Sequence, residues 1–515
     1  MRKKSSTDKE TIAAGPIADC DDMDRRSVIK GLAGGLVTAS ALTAAGPILG
    51  QSTMAESAVD ITWLPAWQIT RLIARQAVTA EEVTAHFLQR IETLDPILHA
   101  FRTLDAEGAR QQARAADERQ RSGKPLGPLH GIPIAVKEHT SVKGLPVING
   151  PGTTVTATSD DIAVERLRKA GAIIFGTTKL PGMGNTPMTG GRDADLSVHP
   201  RNPWAPDRVP GSSSAGSAAA VAAAMVPIAL GSDGGGSTRL PAAISGIVGV
   251  HTAMGRIPYA HYDDPKIMLM ITTGPMTRNV RDAAIVMQAI AGPDGRDFIA
   301  LEQPAPDYVG ALGKGVRDMR FAWTDNFGFG SMYATDQTAD IEAVTRKAAQ
   351  GFNKLGASVE ITDEVWEDFF IPFIMMNNAY DAVATDGSTP SPQALKQASE
   401  TRHRNWQRFN KLFESYDVLL SPCAGQLAYT VEEWDAAWNK NGDQYPHNTF
   451  APTYTVYTHM FNWLGWPALS IPCGFIDGLP VGLQLVTRPR NEAALYTAAD
   501  AFLQAFPRGE QPPVS

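Results

Sequence analysis

The stretch from Pro210 to Arg239 leaves this chain few ways to fold. It opens with Pro210-Gly211-Ser212-Ser213-Ser214-Ala215-Gly216-Ser217 and passes through an alanine-rich run. It closes with Gly231-Ser232-Asp233-Gly234-Gly235-Gly236-Ser237-Thr238-Arg239. Ser217 to Ala224 reads as a tightly packed helix, because alanine is the strongest helix former and leaves little bulk. Val226 to Leu230 reads as the buried strand that follows. Each end is then a loop of glycine and serine, where the backbone takes unusual dihedrals and leaves amide N–H groups uncovered. A serine hydroxyl beside bare N–H groups supplies the parts of an acyl-transfer site, a nucleophile and an oxyanion hole. A third part lies upstream. Ile132 to Val136 is a short β-branched run suited to a buried strand, and Lys137 stands at its end. Burial lowers a lysine pKa and makes the amine a usable base.

These segments together resemble the amidase signature family of serine hydrolases. The resemblance rests on Gly131-Ile132-Pro133-Ile134-Ala135-Val136-Lys137-Glu138, on the Pro-Gly-x-Ser-Ser-x-Gly-Ser loop, and on the Gly-Gly-Ser-x-Arg loop. Ser213 and Ser237 lie 24 residues apart, as the bridging and nucleophilic serines of that family do. Similar text continues through Gly274-Pro275-Met276-Thr277-Arg278, Tyr416-Asp417-Val418-Leu419-Leu420-Ser421-Pro422 and Ile471-Pro472-Cys473-Gly474-Phe475 into Gly478-Leu479-Pro480-Val481-Gly482-Leu483-Gln484-Leu485. It covers nearly everything after about Ile61.

The resemblance implies an enzyme that cleaves a C–N amide bond through an acyl-enzyme. Ser237 would be the nucleophile, Ser213 the bridge behind a cis Ser212–Ser213 peptide, and Lys137 the base. The backbone N–H groups of Gly234, Gly235, Gly236 and Ser237 would form the oxyanion hole. Asp233 and Arg239 flank that loop and are expected to pair across it. The same route serves urethanes and esters, which remain alternatives, and a binding protein on a non-catalytic amidase scaffold is a reading of another class. Neither Gly-x-Ser-x-Gly nor Gly-x-x-x-x-Gly-Lys-Ser/Thr occurs. The ten histidines form no metal-type cluster, so neither cofactor nor metal is expected. Departures from the family pattern fall at Gly182, Gly234, Ser212 and Ala215, and they bear on substrate preference rather than on the chemistry.

Elsewhere the chain alternates short apolar strands with helices, which argues for an α/β fold. The expectation is one large domain over residues 46–515, a mixed and mostly parallel sheet flanked by helices. Leu64 to Leu94 has apolar positions at helical spacing with Asp95-Pro96 marking its end, and Asp105 to Arg121 reads as an exposed helix. Ile162 to Ala170 reads as a helix and Ala172 to Phe175 as its following strand. The helical region from Asp336 to Tyr416 would, by the resemblance, cap the sheet. Bulky residues at Trp366, Phe369, Phe370, Phe373, Ile374, Met375 and Met376, and at Tyr429, Trp434, Trp438, Tyr445, Tyr454 and Tyr457, are candidates for an apolar entrance suited to a hydrophobic or aryl amide.

The N-terminus reads as an address. Asp24-Arg25-Arg26-Ser27-Val28-Ile29-Lys30 is a twin-arginine pair followed by a weakly apolar run from Gly31 to Leu42. Residues 1–45 are therefore expected to direct export through the twin-arginine pathway to the periplasm or beyond. The run is too short for a stable membrane span. A net charge of −8 offers no basic field for nucleic acid. A small-molecule amide is the expected partner, and a homodimer is compatible with the resemblance. Of three cysteines, Cys20 falls in the signal, while Cys423 and Cys473 read as free core thiols.

Overall fold

The short apolar runs assemble into one eleven-stranded sheet with a separate two-stranded hairpin. The computed structural model describes residues 59–148, 153–181, 195–259, 271–368, 370, 372, 390–437 and 450–515. In chain order the strands are β1 (Phe101–Leu104), β2 (Pro133–Lys137), β3 (Pro146–Ile148), β4 (Thr154–Thr156), β5 (Ile173–Thr178), β6 (Ile228–Asp233) and β7 (Val248–His251). They continue with β8 (Thr272–Thr277), β9 (Arg320–Trp323), β10 (Ser358–Ile361), β11 (Val418–Pro422), β12 (Ala468–Ile476) and β13 (Leu479–Val486). Across the large sheet the order is β1-β5-β2-β6-β8-β7-β12-β13-β11-β9-β10, and β3 and β4 pair with each other.

The sheet is mixed, as the sequence leads one to expect, and its parallel pairs are gathered into two flanks. One flank is β5, β2 and β6, and the other is β11, β9 and β10. Between them, from β6 through β8, β7, β12 and β13 to β11, every pairing is antiparallel. Part of that centre comes from a tight hairpin: Ile476 pairs with Leu479, and Asp477 and Gly478 both have positive φ. An Asp-Gly turn of this hand matches the twist of the strands it joins. β2, β5 and β6 are buried at every position, which suits their largely apolar runs.

Some boundaries differ from expectation. The periodic stretch from Leu64 is two helices, Ala66–Ala74 and Ala80–Leu98. Thr79 separates them, since its hydroxyl accepts from Glu82 N–H while the Glu82 carboxylate accepts from Thr79 N–H. Pro96 falls inside the second helix, which ends at His99 in the left-handed region. The helical region after Asp336 is a helix Thr338–Gly351, then edge strand β10, then a helix Pro392–Leu412. β10 escapes notice because Ser358–Ile361 is short and mostly exposed.

The described aromatic candidates are core residues. Trp366 stacks on Phe409 at 4.6 Å between centroids, and both pack against Phe327. Tyr429, Trp434 and Tyr454 form a second buried group with Leu240, Ile244 and Cys423. Phe369, Phe373, Ile374, Met375, Met376, Trp438 and Tyr445 lie outside the described residues, as do Gly182 and the expected export signal. Cys423 and Cys473 are free, buried thiols. Among the described residues, no helix is long and apolar enough to cross a membrane.

Candidate active site

Lys137 ends β2 between β5 and β6, fully buried. Its Nζ donates to Ser213 Oγ at 2.7 Å, Ser232 Oγ at 3.1 Å and Ser232 O at 3.4 Å. All three partners are uncharged. Burial drives the lysine pKa down from 10.5 to about 7, against the attraction of the Asp233 and Glu138 carboxylates. Neither acid is idle. Glu138 accepts from Arg102 Nε at 2.9 Å and from the Leu180 amide at 2.7 Å, and Asp233 is engaged as described below.

The Ser213 loop joins the lysine to the second serine loop. The Ser212–Ser213 peptide is cis, as the resemblance implies. Ser212 N–H donates to Tyr454 Oη at 2.9 Å, and Ser214 N–H donates to Ser237 O at 3.2 Å, so the two loops touch. The helix that follows, Ala215–Ala222, is buried at every position, which explains its composition. Gly216 is required there, because a Cβ would overlap the Ala100 carbonyl and the Lys179 amide. At the far end of this helix Arg90 donates to the carbonyls of Ala223 and Ala224, and Arg278 to those of Val221 and Val226. Cationic groups at a C-terminus satisfy orphan carbonyls and complement the helix dipole.

Ser237 is half-buried, on the turn between β6 and the helix Arg239–Ser245. Gly236 has φ +127°, and a Cβ there would overlap the Thr458 hydroxyl. Its N–H donates to Asp233 Oδ1 at 2.6 Å, while the carbonyl of Gly235 accepts from Thr458 Oγ1 at 2.7 Å. The Gly235–Gly236 peptide is thus pinned at both ends. This corrects the expected oxyanion set: the Gly236 amide is committed to Asp233, which leaves Gly234, Gly235 and Ser237 as its candidates.

The expected Asp233–Arg239 pair forms, fully buried. Arg239 Nε lies 2.9 Å from Oδ2, and its second nitrogen lies 3.0 Å from Oδ1. Arg239 also donates to Asn462 Oδ1 at 2.5 Å, Gln484 Oε1 at 2.7 Å and Thr458 O at 3.2 Å. Asn462 Nδ2 returns bonds to the Asp233 carboxylate and carbonyl at 2.7 and 2.9 Å. Burial alone would raise the Asp233 pKa, but the Arg239 guanidinium and these hydrogen bonds hold it far below the usual carboxylate range. Burial and Arg239 also hold nearby His251 down to about 3, so at neutral pH it presents a neutral ring.

The structure therefore brings Lys137, Ser213, Ser237 and the glycine loop together. It adds Ser232, Tyr454, Thr458, Asn462 and Gln484, which sequence reasoning missed. In the sequence Tyr454 reads as a bulky entrance candidate and Gln484 as part of the family-like Gly478–Leu485 text, and nothing local to either residue points to the serine loops. What the arrangement can do chemically is clear from its parts. A buried amine near neutral pKa touches a hydroxyl, that hydroxyl's loop touches a second serine, and the amides of the glycine loop lead into the second serine.

A sequence model of the Amidase family matches residues 82–391 and 385–496. An acylamidase from Rhodococcus erythropolis is 30% identical over 88% of this chain and 98% of its own length. A glutamyl-tRNA(Gln) amidotransferase subunit from Moorella thermoacetica is 32% identical over 87% of this chain and 97% of its own. Among solved structures, a bacterial aryl acylamidase of the amidase signature enzymes superposes with a TM-score of 0.75 at 26% identity, covering 88% of this chain and 98% of that one.

Proposed function

This chain belongs to the amidase signature family and is an amide-hydrolysing enzyme, and from that premise we propose that it works as a serine amidase on hydrophobic or aryl amides. In this reading Ser237 attacks the amide carbonyl and its proton passes through Ser213 to Lys137. The tetrahedral oxyanion forms against the amides of Gly234, Gly235 and Ser237, the proton returns to the departing amine, and water releases the acyl group. The observation that carries the reading is the 2.7 Å contact between Lys137 Nζ and Ser213 Oγ. It occurs where burial has brought the amine to about 7, so near neutral pH the lysine can both take and give a proton.

Preference for an aryl or hydrophobic substrate draws support from the acylamidase relatives, one of which is an aryl acylamidase. The amidotransferase likeness supports the fold equally well, but the twin-arginine stretch favours an enzyme working outside the cytoplasm, in the periplasm or beyond. A homodimer is compatible with this reading. Urethane or ester cleavage by the same acyl-enzyme is the second reading, since attack by Ser237 and proton relay through Ser213 to Lys137 serve those carbonyls as well.

The test is hydrolysis of a panel of chromogenic anilides, primary amides, carbamates and esters by the full chain, with Ser237→Ala and Lys137→Ala alongside. Anilide turnover lost in both variants is the expected result. Turnover that survives in Ser237→Ala removes the nucleophile assignment, and carbamate or ester turnover above that of anilides moves the protein to the second reading.

A further inference from the structure

Both serine loops are held by one short piece of chain far away in sequence. Tyr454, Thr458 and Asn462 follow at steps of four through the helices Phe450–Thr455 and His459–Leu464. Each touches a different part of the site. Tyr454 Oη accepts from the amide of Ser212, one residue before the bridging serine. Thr458 Oγ1 donates to the carbonyl of Gly235, two residues before the nucleophile, with a longer contact of 3.1 Å to Thr455 O in its own turn. Asn462 binds both the carbonyl and the carboxylate of Asp233. Tyr454 is packed in turn against Tyr429 and Trp434, at 5.8 and 6.2 Å between ring centroids.

We propose that Tyr454–Asn462 is a positioning strap that sets the relative placement of the two serines, with Thr458 as its decisive residue. The proposal rests on the serine-amidase reading above. Its physical basis is the Gly235–Gly236 peptide. A glycine loop has no side chains to fix its peptide planes, so their directions follow from what the backbone groups bind. Asp233 takes the Gly236 N–H and Thr458 takes the Gly235 carbonyl, and these two bonds hold that peptide plane in place. The Gly235 and Ser237 amides belong to the two neighbouring peptides, each joined to this plane at one Cα, so fixing the plane narrows the directions both can take. Remove the Thr458 hydroxyl and the plane is held at one end only, so the oxyanion donors lose their fixed direction while a substrate's binding contacts elsewhere stay as they were. Preorganised donors act on the transition state, so the loss falls on kcat rather than KM. Tyr454 does the corresponding job on the other loop, through the Ser212 amide.

The test is the rate at which a fluorophosphonate probe labels the full chain. Phosphonylation of serine builds negative charge on an oxygen where the oxyanion would sit. Labelling is followed together with kcat and KM for any ester or anilide of the panel that turns over. Thr458→Val is expected to slow labelling and lower kcat by about ten-fold, a fraction of what loss of a direct oxyanion donor costs, with KM within about two-fold. Thr458→Ser, which keeps the hydroxyl, should restore both. Wild-type labelling in Thr458→Val, with Ser237→Ala unlabelled, overturns the strap and leaves the amidase reading standing. Labelling of Ser237→Ala at the wild-type rate overturns the amidase reading and the strap with it. Equal loss in Thr458→Val and Thr458→Ser assigns the position to packing and also overturns the proposal. Should Thr458→Val fail to fold, Tyr454→Phe puts the same question to the Ser212 side, where slowed labelling at unchanged melting temperature supports the strap and unchanged labelling overturns it.

Discussion

Two buried cations stand near the Asp233 loop, and they are treated in opposite ways. Arg239 is matched on every side, by both oxygens of Asp233, by Asn462, by Gln484 and by the Thr458 carbonyl. Lys137 is given two hydroxyls and one carbonyl. A guanidinium cannot be deprotonated in a protein, and its planar fork suits a carboxylate, so the first pocket stores a permanent charge. An ammonium denied a carboxylate contact sheds its proton near neutrality, so the second pocket stores a base. The difference teaches how a fold separates scaffold from chemistry with similar raw material: a buried cation with charged partners holds structure, and one with neutral partners is poised to react.

The contrast is most sharply broken by exchanging the head groups. Lys137→Arg keeps the charge and the donors but removes the base. Catalysis should fall by about a hundred- to ten-thousand-fold, the usual worth of a general base, measured as kcat on the best substrate of the panel. Asp233→Asn attacks the other pocket by leaving Arg239 without its counter-charge. Breaking a buried pair in this way costs about 3–5 kcal/mol, which urea unfolding would read directly.

Titration sharpens the comparison without any mutation. With Lys137 at about 7, log(kcat/KM) should rise with pH below that value and level off above it, since the base must be neutral. Stability follows the same group. Unfolding returns the lysine to its ordinary value of 10.5, so between about 7 and 10.5 the unfolded chain binds the extra proton and the fold gains as pH rises. Lys137→Met should flatten that gain. The smallest effect belongs to the loop between the pockets. Gly236→Ala meets both a positive φ and the Thr458 hydroxyl, and should cost about 1–3 kcal/mol of stability together with part of the rate.

The local parts of this site were readable in the sequence. Lys137, Ser213 and Ser237 each sit in a run of glycine, serine or β-branched residues whose backbone consequences are immediate, and Asp233 and Arg239 lie close enough to suggest their pairing. Their supports were not. Asn462 and Gln484 look like any amide, and only the tertiary fold brings them to Arg239. Gly236 was misjudged because its amide points to a carboxylate three residues back, a choice made by backbone direction rather than residue type. The same holds for the sheet: short apolar runs mark β2, β5 and β6 as strands but say nothing about the antiparallel centre beyond β6, which depends on partners distant in sequence. Trp366 and Phe370 were candidates for an entrance because bulk alone cannot distinguish a lining from a core.

Arg239 reaches Asn462 and Gln484 across 223 and 245 residues of chain. Contacts of such span come at a high loop-closure cost and form only once the intervening chain has collapsed. A ribosome that has released everything through β11 has already delivered the lysine and both serines, yet Arg239 at that moment faces Asp233 alone. The last segments to be synthesised are thus the ones that complete the Arg239 pocket beneath the second serine loop.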